Sequence, residues 1–475
     1  MLLACLLAAM PACDAKEPPL PAAPAVVMPP PAEGQLQPDP DRPMFWRYRG
    51  QPLILLGGSV EDNLFQLTAD VLDPHLDLLV SVGGNYVRCT MSPRDEGNVQ
   101  PHAQRSDGRY DLDAWSDEYW QRFEHFLDAT AARGIIVQIE LWDRFDLANE
   151  PWRKSSWNPA NNVTWTTADT RLEPVYDNHP GRLRHPFFHS VPALDDNPLL
   201  LKHQQRYVDR LLEATLRHDH VLYCMDNETH VPAEWGEYWA TYIQRKAADA
   251  GRRVYCTQMW DPWDLTHAMH RRTTDRPDLY AFVEVSQNNH MKGEAHFSLL
   301  MNARQRILDS GQPRPLNSVK VYGADTGKFG DGREGALRLW RCLLGGAAAV
   351  RFHRPTSGLG LGELAQTHLK AARMFTQAYD LTTARPTWEP FTKDRAANEA
   401  FASVRDTAAG PVHAILFPGK GDLTLQLPAR DRWQVRWLDI AAATWHDPVS
   451  LTPDGRALQL TTPSGEGPWL ALVEP

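Results

Sequence analysis

Residues 221–228 read Val-Leu-Tyr-Cys-Met-Asp-Asn-Glu. A short apolar run that stops abruptly at polar residues reads as a buried strand ending at a rim. The same grammar recurs to either side, at 53–57, 86–90 and 135–141 before it and at 253–257, 281–285, 318–322 and 347–352 after it. Amphipathic helices fall between these runs. Ser116 opens one, with Asp117 and Glu118 in the first turn where negative charge favours the helix dipole. Tyr119, Trp120, Phe123, Phe126 and Leu127 form its apolar stripe, and Gly134 stops it before the next strand. A second runs from about 232 to 250 with Trp235, Tyr238, Trp239, Tyr242 and Ile243 on one face. Eight strand–helix units predict an α/β fold, a (β/α)8 TIM barrel over residues 44–388. Its excess length is expected in the loops after the third, fifth and seventh strands, on the rim where such barrels place their sites.

Beyond this span the pattern changes. VHAILFPG, LTLQLPA, WQVRWLDI, ALQLTTP and PWLALVEP are short strands set apart by Pro, Gly and Asp. They predict a small antiparallel β-sandwich over residues 389–475. At the other end, MLLACLLAAMPAC carries an apolar run closed by Ala12-Cys13. It resembles a bacterial lipoprotein signal over residues 1–13, with Cys13 lipidated; an ordinary cleaved signal is the alternative. Residues 14–43 are rich in Pro and Ala, without helical or strand period, and read as an extended linker. The expectation is an exported protein held to a membrane by its lipid, in the periplasm or at the cell surface.

The 475 residues are 43% hydrophobic and 23% charged, the balance of a globular protein with a large core. Lys and Arg total 49 against 59 Asp and Glu, a net charge of −10 without a basic run, which argues against a nucleic-acid partner. Cys89, Cys224, Cys256 and Cys342 each lie in an apolar pattern and read as buried free thiols. The histidines show no metal-ligand spacing, so neither metal nor cofactor is predicted. Seventeen tryptophans suit both a core and sites where flat rings stack on sugars.

A barrel strand that ends in Asn227-Glu228, the fourth of eight, is similar to the large glycoside hydrolase clan A. The resemblance implies that Glu228 protonates the leaving glycosidic oxygen and that Asn227 binds the sugar 2-hydroxyl. A proton donor at neutral pH needs a carboxyl partly withdrawn from water at the mouth of a cleft. Arg88, ending the second strand, stands where the clan carries an Arg that supports the second carboxylate. Phe45-Trp46-Arg47-Tyr48-Arg49-Gly50-Gln51-Pro52 followed by LILLGGS resembles the opening of the apiosidase-like barrel family. Trp437-Leu438-Asp439, Trp445-His446-Asp447-Pro448 and Gly467-Pro468-Trp469-Leu470 resemble the sandwich, labelled collagen-binding, that often follows it. Together these span most of residues 44–475 and imply action on plant-type or microbial polysaccharide, not on collagen.

One departure is serious. The clan ends its seventh strand with a nucleophilic Glu, and here that place falls to Val319, Lys320 or Val321. Asp325 is the favoured substitute, with Glu140 and Asp143 as others; Glu334 belongs with the helix it begins. Carboxyls ~5–5.5 Å apart suit a retaining displacement and ~6.5–9.5 Å an inverting one. The remaining reading has no second carboxylate, and a barrel that binds glycans without cutting them. Other rim residues suit a sugar cleft. Gln287 and Asn288 follow the sixth strand, and Arg351, His353 and Arg354 stand where the eighth ends. Two arginines at one mouth suit a uronate-containing substrate, unless one of them braces the rim. Trp142, Trp260 and Trp263 are candidate stacking platforms. Two further readings stay open: a surface adhesin working through the sandwich, and Schiff-base chemistry at Lys320.

Overall fold

The structure, a computed structural model, describes residues 26–178, 184–324, 329–463 and 465–475. The signal with Cys13, the first part of the linker and Asp325 lie outside the described residues. Eight parallel strands form the barrel: β1 (Leu55–Gly58), β2 (Tyr86–Thr90), β3 (Ile136–Asp143), β4 (Val221–Asn227), β5 (Cys256–Thr257), β6 (Val283–Glu284), β7 (Leu316–Val321) and β8 (Ala349–Phe352). A helix follows each in turn: α1 (Ala69–Ser81), α2 (Asp117–Ala132), α3 (Pro198–Thr215), α4 (Ala233–Asp249), α5 (Ala268–Thr274), α6 (Gly293–Asp309), α7 (Gly332–Leu344) and α8 (Glu363–Ala378). Pairing runs β5-β4-β3-β2-β1-β8-β7-β6. The last seam, between β5 and β6, is closed by the Ala281 N–H on the Cys256 carbonyl at 2.9 Å. There the Thr257 hydroxyl also donates to the Phe282 carbonyl at 2.7 Å.

All eight predicted strands and the α2 and α4 helices are present, and Ser116 caps α2 by accepting from the Tyr119 N–H. The long loops meet the expectation after β3 and depart from it elsewhere. Extra chain follows β2 (residues 91–116) and β3 (144–197), while the β5 and β7 loops are short. An antiparallel hairpin, His102–Gln104 with Tyr110–Trp115, occupies the first of these and delays α2. The residues beyond β5 are instead taken up by α5.

Under the barrel, Gln37–Pro38, Trp46–Tyr48 and Gln51–Leu53 form a three-stranded antiparallel sheet. Arg49 and Gly50, at φ 50° and 77°, make the tight two-residue turn between the last two strands. Trp46 is fully buried as a plug, its indole N–H on Asn317 Oδ1 at 3.0 Å and its edge against Phe282. The linker is therefore shorter than expected. Leu36 is buried, and Gln35 Nε2 donates to the Arg253 carbonyl at 2.6 Å. Its neighbours Gln37–Pro38 pair with Trp46 and Arg47, so the chain is docked from this point onward.

The C-terminal strands are β9 (Arg385–Thr387), β10 (Phe401–Thr407), β11 (Gly410–Phe417), β12 (Asp422–Gln426), β13 (Trp433–Asp439), β14 (Thr444–Trp445), β15 (Val449–Leu451), β16 (Ala457–Thr461) and β17 (Trp469–Glu474). The main sheet runs β9-β10-β11-β17-β13-β14, with β15 also on β13, and β12 pairs with β16 to cover it. Alternation assigns the faces. Ala414, Leu416, Leu470 and Leu472 join the barrel's core. Ile415, Phe417, Trp469, Ala471 and Val473 meet Leu423, Leu425, Leu458 and Leu460 in a second core. Edge contacts from Phe297 on α6 to Trp388, and the Arg341 guanidinium of α7 over Phe401, seat the sheet on the barrel. The four cysteines in the folded body are buried and free.

Candidate active site

A cleft of about 330 Å³ opens at the carboxyl ends of the strands. Asn227 and Glu228 enter it from β4, Arg88 from β2, Lys320 and Tyr322 from the end of β7, and His353 and Arg354 from beyond β8. Strand alternation sorts the polar residues of β4. Asp226 turns away from the barrel to Trp235 Nε1 at 3.2 Å and Gln258 Nε2 at 2.8 Å, and burial raises its carboxyl to about 7. Asn227 turns inward and donates to Asp143 Oδ2 at 2.9 Å.

Glu228 follows with φ at 50°, the left-handed region that a side-chain-bearing residue enters at a cost of about 1–2 kcal/mol. Its side chain is 13% exposed. Oε1 meets Lys320 Nζ at 2.6 Å and accepts from the Tyr322 hydroxyl at 3.1 Å. Oε2 lies 3.6 Å from Arg144 Nη2, and Gln287 adds a side-chain hydrogen bond. Burial alone would raise this carboxyl. Lys320 overrides it, with Arg144 and Gln287 adding to the effect, and holds Glu228 well below the usual carboxylate range. In the resting site Glu228 is thus a carboxylate and carries no proton to give. Tyr322, raised by burial and by Glu228, keeps its phenolic proton. Lys320 also donates to Asn227 Oδ1, which locks the Asn-Glu pair to β7.

Lys320 stands where the clan resemblance calls for a nucleophilic Glu. Pairing of β7 with β8 shifts register between Ser318 and Val321, and this irregularity delivers Lys320 to the cleft. Among the described residues lining the cleft, Asp62 is the other carboxylate. It is buried and committed: Arg88 Nη1 lies at 2.7 Å, Arg351 Nη2 and His353 Nδ1 at 3.3 Å, and Arg354 Nε at 3.4 Å. Burial raises Asp62, but the charges around it, Arg88 foremost, hold it well below the ordinary range. Burial also lowers His353 to about 4, so its ring is neutral at pH 7.

The other expected site residues divide clearly. Glu140 is fully buried on Arg88 Nη2 at 2.5 Å and does not reach the cleft as a second carboxylate. Asp143 lies behind Asn227, paired with Arg94, which overrides the effect of burial and keeps it ionised. Glu334 stays on α7, paired with Arg341. Arg351 is the brace: it is buried, with Nη1 on the Val319 carbonyl at 3.1 Å and Nη2 on Ser59 and Asp62. Arg354 faces the cleft but is shared by Glu61, Asp62 and Asp95. Asn288 holds the loop after β6 to α6 through the His296 carbonyl at 2.8 Å. Trp142 and Trp260 are not platforms. Trp142 is buried among Phe187, Tyr207, Trp235 and Trp239, and Trp260 bonds Thr273 Oγ1 at 2.9 Å in the core. Trp263 is 48% exposed and stacks on His290.

Sequence reasoning missed Asp62, Arg94, Arg144 and Tyr322. Arg144 immediately follows β3, and it reaches Asp261 at 2.5 Å as well as Glu228. Its place at a strand end is the signal that could have found it; Asp62 and Arg94 lie in loops that carry no such mark.

No protein-family model matches the chain, and no curated protein matches its sequence. Its fold is similar to that of a glycoside hydrolase family 5 protein from Bacteroides vulgatus, with TM-score 0.63 and 10% identity over 94% of this chain and 95% of that one. A second structure, titled only glycoside hydrolase, has TM-score 0.62 and 10% identity over 93% and 97% of the two chains. A family 5 mannosidase from Rhizomucor miehei has TM-score 0.51 and 9% identity over 74% of this chain and 99% of that one. The likeness is one of fold: a (β/α)8 barrel, followed in this chain by antiparallel sheets.

Proposed function

We propose that the chain is a glycoside hydrolase acting on a polysaccharide or oligosaccharide, with Glu228 as the carboxylate at the scissile bond. The observation that carries the reading is the backbone of Glu228 itself. A glutamate held left-handed at the end of the fourth strand, in a polar cleft at the barrel mouth, is the kind of strain that folds retain at working sites. Kinship of fold with family 5 glycoside hydrolases supports the same reading.

The ion pair with Lys320 shapes how Glu228 can act. As a carboxylate it is ready as a base or as a nucleophile. Acting as a general acid requires that Lys320 be drawn away, for example onto a sugar oxygen; burial would then raise the Glu228 carboxyl toward protonation. The cleft lining holds Arg88, Arg94, Lys320 and Arg354, each paired with carboxylates of the protein, so a uronate carboxylate would bind by sharing these cations with their partners. Export, with a lipid on Cys13, fits a substrate found outside the cell. The closing experiment is release of reducing ends from plant and bacterial polysaccharides, uronate-rich ones included, by wild type and Glu228→Gln. The reading expects release by wild type and a loss of at least about 100-fold in the variant; equal release by both overturns it.

A second reading is favoured by Lys320 itself, which fills the strand-seven place with a cation. In it the barrel captures glycans without cutting them. Binding without release, with affinity little changed in Glu228→Gln, is its expected outcome.

A further inference from the structure

A second depression of about 860 Å³ lies beside the cleft, and Arg94 and Pro151 line both. Its wall is the segment 93–100 after β2 together with parts of the hairpin His102–Gln104 and Tyr110–Trp115. The wall is built rather than loose. Gln66 and Val99 bond reciprocally, Nε2 to the Val99 carbonyl at 3.1 Å and the Val99 N–H to Oε1 at 3.0 Å. Asn63 Nδ2 holds Asp95 at 3.0 Å, and the Ser156 N–H reaches Gln100 Oε1 at 3.0 Å. These bonds tie the loops after β1, β2 and β3 into one frame, so a ligand would meet a surface already in place.

We infer that this groove binds further residues of a glycan chain whose reacting or captured unit sits at Glu228, so that the ligand is a chain segment and not a free sugar. This rests on the carbohydrate reading of the cleft. Size supports it, since pockets for compact ligands run to about 300–1,000 Å³ and the cleft alone stands at the low end. So does chemistry. Tyr110 sets a half-buried ring in the groove wall, a surface for a sugar face, and Gln104 and Lys154 place amide and ammonium groups along the lining for hydroxyls. Charges of both signs line the groove, Arg94 and Lys154 with Asp95, Glu96 and Glu118. The chain recognised in the groove is therefore polyhydroxylated and of low net charge, whatever the unit in the cleft carries.

The experiment measures affinities of the full chain by calorimetry for manno-, cello- and galacturono-oligosaccharides of one to six units. Wild type is compared with Tyr110→Leu, which keeps the contact with the core, and with Glu96→Trp, which obstructs the groove from an exposed loop position. The inference expects at least about 10-fold tighter binding from two to five units for the ladder that binds. Both variants should remove most of that gain and leave the disaccharide affinity unchanged. A ladder that binds with no length dependence, or variants that weaken the disaccharide equally, overturns the groove while the cleft reading stands. If no ladder binds and no polysaccharide is cut, both fall together.

Discussion

The floor and the mouth of the barrel are both polar, where barrel interiors are usually filled by branched aliphatics, but they satisfy their polar groups by different means. At the floor the partners are mainly neutral. Trp46 bonds Asn317, Asn317 Nδ2 reaches Gln138 Oε1 at 3.2 Å, and the Tyr86 hydroxyl donates to that same oxygen at 2.6 Å. Glu284, met by Gln138 Nε2 at 3.1 Å, is raised by burial to about 7, so this stretch of the interior approaches neutrality even at its carboxyl. At the mouth the partners are full charges: Arg88 between Asp62 and Glu140, Arg94 on Asp143, Arg144 on Asp261, Lys320 on Glu228. Buried ion pairs are poor sources of net stability. Their concentration at one end of the barrel is better explained by the ligand that end must meet.

The contrast breaks most sharply at Arg88. Arg88→Leu leaves Asp62 and Glu140 buried without their shared cation, and we expect a loss of about 3–5 kcal/mol in urea unfolding. A loss below about 1 kcal/mol would show that the mouth network holds nothing together. At the floor, Trp46→Phe strips Asn317 Oδ1 of its donor and leaves unfilled volume beneath the barrel; about 2–3 kcal/mol is expected. Glycan affinity should be untouched by that change, since Trp46 lies at the far end from the cleft. A matched loss of affinity would mean that floor and mouth are coupled.

Glu228→Gln sharpens the contrast through pH. The folded-state carboxyl lies below its unfolded value of about 4.3, so its contribution is fully present above that value and is lost as pH falls toward the folded one. The variant should cost about 1–2 kcal/mol at pH 7, and its gap from wild type should close on acidification below about pH 4. Thermal melts from pH 7 to pH 3 decide it. A gap that stays constant with pH would mean that Lys320 does not hold Glu228 ionised.

The barrel was legible because its strands are apolar runs and its helices carry apolar stripes, signals set by local periodicity. The approach of Asn227-Glu228 to the rim was legible for the same reason. What stayed hidden depends on distant chain. Trp142 and Trp260 follow strands just as a platform would, and only the packing of Phe187, Tyr207, Trp235 and Trp239 around Trp142 shows it to be core. Of the two arginines at the end of β8, Arg351 within the strand braces and Arg354 beyond it faces the cleft, a division fixed by Ser59 and Asp62 some 290 residues earlier. Lys320 needed the register shift in β7 to reach Glu228, and spacing along the chain carries no mark of it.

The smallest effect is the most discriminating between the two ends. Arg49 and Glu228 share the same left-handed backbone, φ 50° in each. Arg49 sits in an exposed two-residue hairpin turn before Gly50, where asparagine is the residue that tolerates this conformation best. Its guanidinium makes a long 3.4 Å contact to the Ala131 carbonyl and lies 5.0 Å over the Tyr48 ring, both at the surface. Arg49→Asn should therefore stabilise the chain by up to about 1 kcal/mol, with glycan affinity unchanged. Glu228→Asn relaxes the same backbone strain yet withdraws the carboxylate from Lys320 and Tyr322, so its melting temperature should fall. Opposite signs for one substitution at two equally strained positions would locate the compensating interactions at the mouth. If both variants gain stability, the strain at Glu228 is a turn preference like that at Arg49, and it ceases to support an active site there.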